Sequence, residues 1–379
     1  MKKILIVNNN MDSGGIQKSL INLLKAAADE YEITLMLFSK TGALLPQVPP
    51  AVRVTTPGRR YRMLGLDRTA LRAYPALYLV KGVLTIAAKL LGRHTAMRLL
   101  GSFQRPITGY DAAVSFSHLT GSKQFLNGCG DFVLDQVDAR RKLCWLHCDY
   151  GGSGYQSEEN NRLYCAFDRI VCVSESVRER FVSLNPAAAG KTTVLRNFPD
   201  RDILSRSREN PVLYDSERIH LLSVARLSPE KGLNRAAEAL AACGRTDLCW
   251  HIVGDGPERE RLQAQCAMMG IADRVEFCGE QENPYRYMAG ADYLLAPSVH
   301  EAAPIVFDEA HALGLPIIAT ETLSARELLR DSDRICSNSA DGLTRTLMTL
   351  GRPARQAAIT PANDSGRAKL AALLNEETT

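Results

Sequence analysis

The sequence predicts an α/β protein of two domains, each built around a parallel β-sheet, and three observations lead there. The chain has 379 residues, beyond the ~250–300 at which a single hydrophobic core stops growing. Short apolar runs alternate along its whole length with segments of helical periodicity, as repeated strand–helix–strand units require. The composition, 45% hydrophobic and 23% charged, is that of an ordinary globular protein and excludes a disordered or fibrous chain.

In the first half the apolar runs place strands at 3–7, 33–38, 112–116, 142–147 and 169–174. In the second half they fall at 219–224, 248–253, 274–278, 292–296 and 315–319. Between the first two strands, Ile16, Leu20, Leu23 and Leu24 repeat at the spacing of a helix packed on a sheet, with Asp12 or Ser13 as its cap. Ser176-Val177-Arg178-Glu179 has capping-box spacing and opens a helix just after the strand that ends at Ser174. A short hinge-like stretch near 197–217 divides the chain into a domain at 1–197 and a domain at 198–352, followed by a tail at 353–379.

The ten cysteines show no C-x-x-C spacing and sit mostly inside apolar runs such as Ile170-Val171-Cys172-Val173. They read as reduced core thiols of a cytoplasmic protein rather than metal ligands or disulfides. After Met1-Lys2-Lys3 the apolar run Ile4–Val7 is too short for a signal peptide and reads as a first strand. No run approaches the ~20 apolar residues of a membrane span, so any membrane contact is peripheral. The net charge of +4 is uneven: residues 59–105 hold ten Lys or Arg against one acid, Asp67, and the other 36 basic and 41 acidic residues leave the rest of the chain net negative. In that segment Leu77, Val80, Leu84, Ala87, Ala88 and Leu91 recur at helical spacing, interleaved with Lys81, Lys89, Arg93 and Arg98. This suits an anionic membrane surface. A helix with a solvated basic face is the plainer alternative. Nucleic-acid binding is not expected, because no aromatic interleaving or known module accompanies the charge.

Four strand ends carry candidate chemistry. The first strand runs through Asn8–Asn10 into Gly14-Gly15 and a helix, a place where backbone can approach an anion, although a plain turn fits as well. The spacing does not match G-x-G-x-x-G, which argues against a nicotinamide-dependent oxidoreductase. The strand 219–224 delivers Arg226-Leu227-Ser228-Pro229-Glu230-Lys231-Gly232 to a turn at the carboxyl end of a sheet, where two cations suit a diphosphate and a solvated basic turn is the alternative. The next strand ends in Gly254-Asp255-Gly256, by itself a tight turn, which becomes a candidate donor-binding loop at Gly254 through its adjacency to the turn of Arg226 and Lys231. The strand near 292–296 leads to Glu301, then to a helix expected to begin at Pro304 or Ile305, with Glu309 just over one turn inside. The first-turn N–H groups of Ile305 and Val306 are then free to cradle a phosphate.

The series Arg226 to Lys231-Gly232, Gly254 to Gly256, Gly279, Asn283-Pro284-Tyr285, Glu301 with Glu309-Ala310, and Gly314-Leu315-Pro316 resembles, in order and spacing, the carboxyl domain of the family-4 retaining glycosyltransferases of GT-B fold. The likeness spans roughly 219–329. Weaker agreement continues in Gly14-Gly15, Trp145-Leu146-His147, Asp168–Ser174 and Arg196-Asn197, and the tract at 283–285 with Trp145–Asp149 looks most like members that build capsular or exopolysaccharides.

The resemblance implies two Rossmann-like domains whose parallel sheets face across a cleft, with a helix in the tail, around Leu370–Leu374, returning to the first domain. It implies transfer of a sugar from a nucleotide diphosphate donor, UDP- or GDP-linked, to a glycan or lipid-linked acceptor, with retention, without a metal or other cofactor, at the inner face of the membrane. Arg226 and Lys231 then neutralise the diphosphate and Glu309 accepts from the ribose. Glu301 faces the donor sugar, His147 lies near sugar and acceptor, Gly15 lets the first loop approach the phosphates, and residues 278–283 line the base pocket. One departure stands out: Ala302-Ala303 follow Glu301 where the family has glycine and an aromatic residue. It leaves open a catalytically silent sugar-nucleotide-binding or scaffolding relative.

Overall fold

The computed structural model describes residues 1–375 apart from 103, 355 and 359–363. The chain forms two compact units, one running from Met1 to Phe198 and taking in the C-terminal helix, the other beginning at Pro199.

The first unit holds β1 (Lys3–Asn8), β2 (Glu32–Leu37), β3 (Arg53–Thr55), β4 (Ile107–Ser115), β5 (Val137–Leu146), β6 (Arg169–Cys172) and β7 (Thr192–Val194). They form one parallel sheet in the order β3-β2-β1-β4-β5-β6-β7. The second unit holds β8 (Ile219–Val224), β9 (Leu248–Val253), β10 (Val275–Gly279), β11 (Tyr293–Ala296), β12 (Ile317–Thr320) and β13 (Arg334–Cys336). Its parallel sheet has the order β10-β9-β8-β11-β12-β13. In both sheets the order reverses at the first strand, which places a crevice at the carboxyl ends of β1 and β4 in one unit and of β8 and β11 in the other.

The central strands are buried on both faces, which explains why they read as continuous apolar runs. At the middle of the second sheet Trp250 donates its indole N–H to Ser223 at 3.0 Å, and Ser223 donates to the Leu295 carbonyl at 2.6 Å, so three neighbouring strands share one satisfied polar chain. β3, β7 and β13 were not expected. Each has three residues and lies at a sheet edge, so no apolar run marks it. β4 and β5 begin earlier than expected because residues 107–111 in the first and 138–140 in the second are exposed or half-exposed and break the apolar pattern.

Two expected helix caps are corrected. Neither Asp12 nor Ser13 caps the helix Gly15–Ala27: Gly14 is its N-cap, without a side-chain bond, and Asp12 instead accepts from the Asn10 amide at 2.6 Å. The helix Glu175–Leu184 is capped by Ser174, whose hydroxyl accepts from the Val177 N–H at 3.3 Å, so Ser176 lies inside it. The helix Asp364–Asn375 packs on the first unit: Leu370, Leu373 and Leu374 are buried, and Arg141 donates to the Leu373 carbonyl at 2.5 Å. Part of the tail at 353–379 lies outside the described residues.

The basic segment forms the helices Pro75–Leu91 and Arg93–Gly101. Its phase differs from the expected one. Leu84 and Ala88 are buried, but Val80 and Leu91 of the same expected stripe are exposed. Lys81 turns inward and donates to the Met63 carbonyl at 2.8 Å. Arg93 is buried rather than solvated: it pairs with Asp131 at 2.9 Å and donates to Asn160 at 2.9 Å.

Candidate functional site

In the second unit the turns after β8 and β9 are stitched together by backbone bonds from Ala225 N–H to Val253, Leu227 N–H to Asp255, and Glu258 N–H to Leu227. The glycines of the second turn exist for this contact. A Cβ on Gly254, whose φ is +137°, would meet the Ala225 carbonyl oxygen at 2.0 Å, and one on Gly256 would meet the Leu227 oxygen at 2.3 Å. The Gly254 N–H donates to the Gly279 carbonyl at 2.7 Å. Packing against the β8 turn therefore accounts for Gly254 without any ligand.

The β8 turn presents its two cations differently. Arg226 is exposed, and among the described residues its guanidinium has no hydrogen-bond or ion-pair partner. Lys231 is half-buried and its ammonium lies 2.6 Å from Glu301 Oε1. The same carboxylate oxygen accepts from the Ser298 hydroxyl at 2.7 Å. Seventy residues separate Lys231 from Glu301, and they meet because β11 pairs with β8 at the point where the strand order reverses. Two further contacts lock the turns together: Val299 N–H donates to Glu230 at 2.8 Å, and Arg235 to the Pro297 carbonyl at 2.6 Å.

The helix after Glu301 runs Ile305–Ala312 with Pro304 as N-cap, so Ile305 and Val306 occupy its first two positions, where no preceding turn offers an acceptor. Glu309 is buried at 3% exposure and accepts from the Tyr285 hydroxyl at 3.0 Å. That hydroxyl is also 2.9 Å from Asp200 Oδ2, and Arg206 pairs with Asp200 at 3.3 Å while its guanidinium lies 4.9 Å from the centre of the Tyr285 ring. Burial first, then Glu309 and Asp200, pushes the Tyr285 phenol well above its usual range, so it stays protonated as a donor. Sequence reasoning gave no role to Tyr285, Ser298, Asp200 or Arg206. Tyr285 stood inside a quoted motif and Ser298 lies three residues before Glu301, whereas Asp200 and Arg206 lie in the inter-domain stretch, where no local pattern marks them.

In the first unit, His147 follows β5, with its ring centroid 4.9 Å from that of Phe116 at the end of β4. Its Nε2 is buried, with no hydrogen-bond partner among the described residues. Burial, then the neighbouring His118, pushes the imidazole down to about 3, and burial pushes His118 down to about 4. Both rings are neutral near pH 7, so His147 offers a hydrogen bond rather than a charge. A Cβ on Gly15 would meet nothing within 4 Å, and one on Gly14 only the Gln17 side chain. The space beside Gly15 is open, unlike that at Gly254.

One group among the described residues has metal-ligand chemistry: His251, Glu276 and Cys278 offer atoms within 4.8 Å of one another. They are engaged otherwise. His251 Nδ1 lies 2.8 Å from Glu276 and its Nε2 3.0 Å from His220 Nδ1.

With this geometry in view, comparison with known proteins bears mainly on the second unit. Residues 206–350 match the family model described as glycosyl transferases group 1. The matched segment contains Arg226, Lys231, Glu301 and Glu309, with Asp200 just before it. Its relatives include LpsE of Rhizobium meliloti (strain 1021), a lipopolysaccharide core biosynthesis glycosyltransferase, 27% identical over 48% of this chain and 53% of its own. Another is the N-acetylgalactosamine-N,N'-diacetylbacillosaminyl-diphospho-undecaprenol 4-alpha-N-acetylgalactosaminyltransferase of Campylobacter jejuni, 32% identical over 45% of this chain and 46% of its own. The chain spans about half the length of these curated relatives. The solved structure of HepE from Anabaena in complex with UDP and glucose covers 92% of this chain and 89% of its own, with TM-score 0.64 and 20% identity. That is a likeness of fold: two Rossmann-like units with parallel sheets, the GT-B fold.

Proposed function

We propose that the protein transfers a sugar, with retention and without a metal, from a nucleotide diphosphate donor to a glycan or lipid-linked acceptor in surface polysaccharide synthesis. The observation that carries this reading is the Lys231–Glu301 pair at the strand-order reversal of the group 1 segment, beside the unpartnered Arg226. Glycosyl transfer breaks the bond between the anomeric carbon and the diphosphate while the acceptor oxygen bonds to that carbon on the same face. The acceptor proton passes to the departing phosphate oxygen. Negative charge grows on the diphosphate, so Arg226 and Lys231 are the groups that stabilise it, aided by the first-turn N–H groups of Ile305 and Val306. When Lys231 turns to the phosphates, Glu301 is released to accept from sugar hydroxyls. Glu309, already oriented by Tyr285, accepts from the ribose. Neutral His147 hydrogen-bonds the sugar or the acceptor, and Gly15 leaves room for the phosphates.

The donor we propose is a UDP- or GDP-sugar: HepE binds UDP and glucose, and a relative from Mycolicibacterium smegmatis, 32% identical over 50% of this chain, is GDP-mannose-dependent. The diphospho-undecaprenol in the Campylobacter relative's name supports a lipid-linked acceptor, and with it a position at the inner face of the membrane. Among the described residues no helix is long and apolar enough to cross a membrane, and the association we propose is peripheral. The test is release of nucleotide from a panel of UDP-, GDP- and ADP-sugars in the presence of a chelator. One donor should turn over, and Lys231→Ala should lower the rate by about 100-fold, the size of one lost electrostatic contact to a transition-state charge. A panel in which no nucleotide binds, or an unaffected Lys231→Ala, refutes the reading.

A further inference from the structure

The helix Pro75–Leu91 turns its more apolar side to solvent. Tyr78, Leu79, Val80, Val83, Ile86, Leu90 and Leu91 are all exposed, several above 60%. Positions 79, 83, 86 and 90 fall on one side of a helix. The covered side carries Leu84, Ala88 and the inward lysine, Lys81. Lys89 is the only other charge on this helix, so the outward strip is uninterrupted. At one end of the helix the exposed Arg68 and Arg72 stand close enough to the exposed Tyr78 hydroxyl to lower its pKa, and near the other end Lys89 is exposed, as is Arg98 on the next helix. That next helix is fixed to the unit by the buried Arg93–Asp131 pair and by His94, 3.0 Å from the same aspartate. The apolar strip is therefore held by a rigid support.

We infer that this strip docks in the plane of an anionic phospholipid bilayer, with Leu79, Val83, Ile86 and Leu90 among the acyl chains and Tyr78, Arg68, Arg72 and Lys89 at the headgroups. Seventeen helical residues extend about 25 Å, short of the ~30 Å hydrocarbon core, so the helix lies along the surface. Charge selects the occupant. Of the segment's ten basic residues Arg93 and Lys81 face inward, whereas Arg59, Arg68, Arg72, Lys89, Arg98 and Arg105 are exposed against one acid, Asp67, and a tyrosine with two arginines at the border of an apolar strip has the chemistry of a membrane interface. A second copy of the chain is the poorer partner, because a two-fold contact brings the same arginines and lysine against themselves. The inference deepens the proposed lipid-linked acceptor by naming the surface that meets its membrane, and its test requires no turnover.

The full chain is floated with vesicles of phosphatidylcholine alone or containing about a third phosphatidylglycerol, at roughly 0.1 and 0.5 M salt. Binding is expected to be about tenfold or more stronger to the anionic vesicles, and weaker at high salt. The variant Leu79→Ser/Val83→Ser/Ile86→Ser/Leu90→Ser should lose at least about tenfold in partitioning with an unchanged thermal melt, because these side chains are exposed. Arg68→Glu/Arg72→Glu should lose the anionic preference. The inference is overturned if the serine variant partitions like the parent, if phosphatidylglycerol makes no difference, if neither vesicle binds, or if sedimentation shows a dimer that the serine variant abolishes. Nucleotide-sugar turnover with a water-soluble acceptor, measured on the same variants, should be unchanged. Failure there with intact flotation counts against the glycosyltransferase reading alone.

Discussion

Replacing Glu301 by glutamine is expected to tighten binding of the free nucleoside diphosphate while abolishing sugar transfer. The ammonium of Lys231 lies 2.6 Å from the Glu301 carboxylate, and in the proposed function it exchanges that partner for a phosphate. Side-chain exposures of 27% and 13% place the pair between a surface ion pair, worth up to about 1 kcal/mol, and a fully buried one, whose disruption costs about 3–5 kcal/mol. A net contribution of about 0.5–1.5 kcal/mol follows for the partly screened pair. Glutamine keeps the shape and can still accept from Ser298, so removing the charge should return that energy to the nucleotide as a roughly two- to tenfold lower Kd. Lys231→Ala is the reference: it removes a charge-assisted contact of about 1.5–3 kcal/mol and should weaken the nucleotide by roughly 10- to 150-fold. Isothermal titration of parent and variants with UDP and GDP reads both effects. If Glu301→Gln binds the nucleotide no better than the parent, and Lys231→Ala binds it no worse, the two residues do not exchange partners at a diphosphate and the site is wrongly assigned.

Tyr285→Phe leaves the buried Glu309 and Asp200 carboxylates without the hydroxyl they share, and chemical denaturation should show a loss of about 1–3 kcal/mol together with weaker nucleoside binding. Gly254→Ala drives a methyl to 2.0 Å from a carbonyl oxygen and should cost more than about 3 kcal/mol, whereas Gly15→Ala should leave the melting temperature unchanged and weaken only the nucleotide. The pH dependence of stability has two opposing parts. Hydrogen bonding to Asp131 raises the His94 pKa, so His94 stabilises the fold below its unfolded value near 6.5, and this is lost as pH rises through the higher folded value. His118 and His147, buried neutral with values near 4 and 3, act oppositely, their contribution present above about 6.5 and lost as pH falls below it. Thermal melts from pH 5 to 9 should therefore show the parent's advantage over His94→Gln shrinking towards alkaline pH; a constant difference refutes it.

Ten strands and the start of the helix at Ile305 could be read along the chain, because buried parallel strands are continuous apolar runs and a helix that follows a proline announces its first turn. The three unanticipated strands are too short to carry such a run. Glu301 and Lys231 were legible as candidates but not as partners. The expectation set one at the sugar and the other at the phosphates, whereas their carboxylate and ammonium are joined. Tyr285 and Asp200 became part of the site only through contacts with Glu309, since a hydrogen bond between residues distant in the chain leaves no local pattern.

The alternation of apolar runs and helical segments decided the α/β class, the order of the elements, and which turns carry cations and carboxylates. Strand order in the sheet decided the rest. β11 lies beside β8 rather than beside β10, and that placement brings the two turns to one edge. The helix Pro75–Leu91 makes the same point: a helix apolar nearly all round has no polar side to fix its phase, so only packing against the first unit could turn Lys81 inward and leave Leu79, Val83, Ile86 and Leu90 outside.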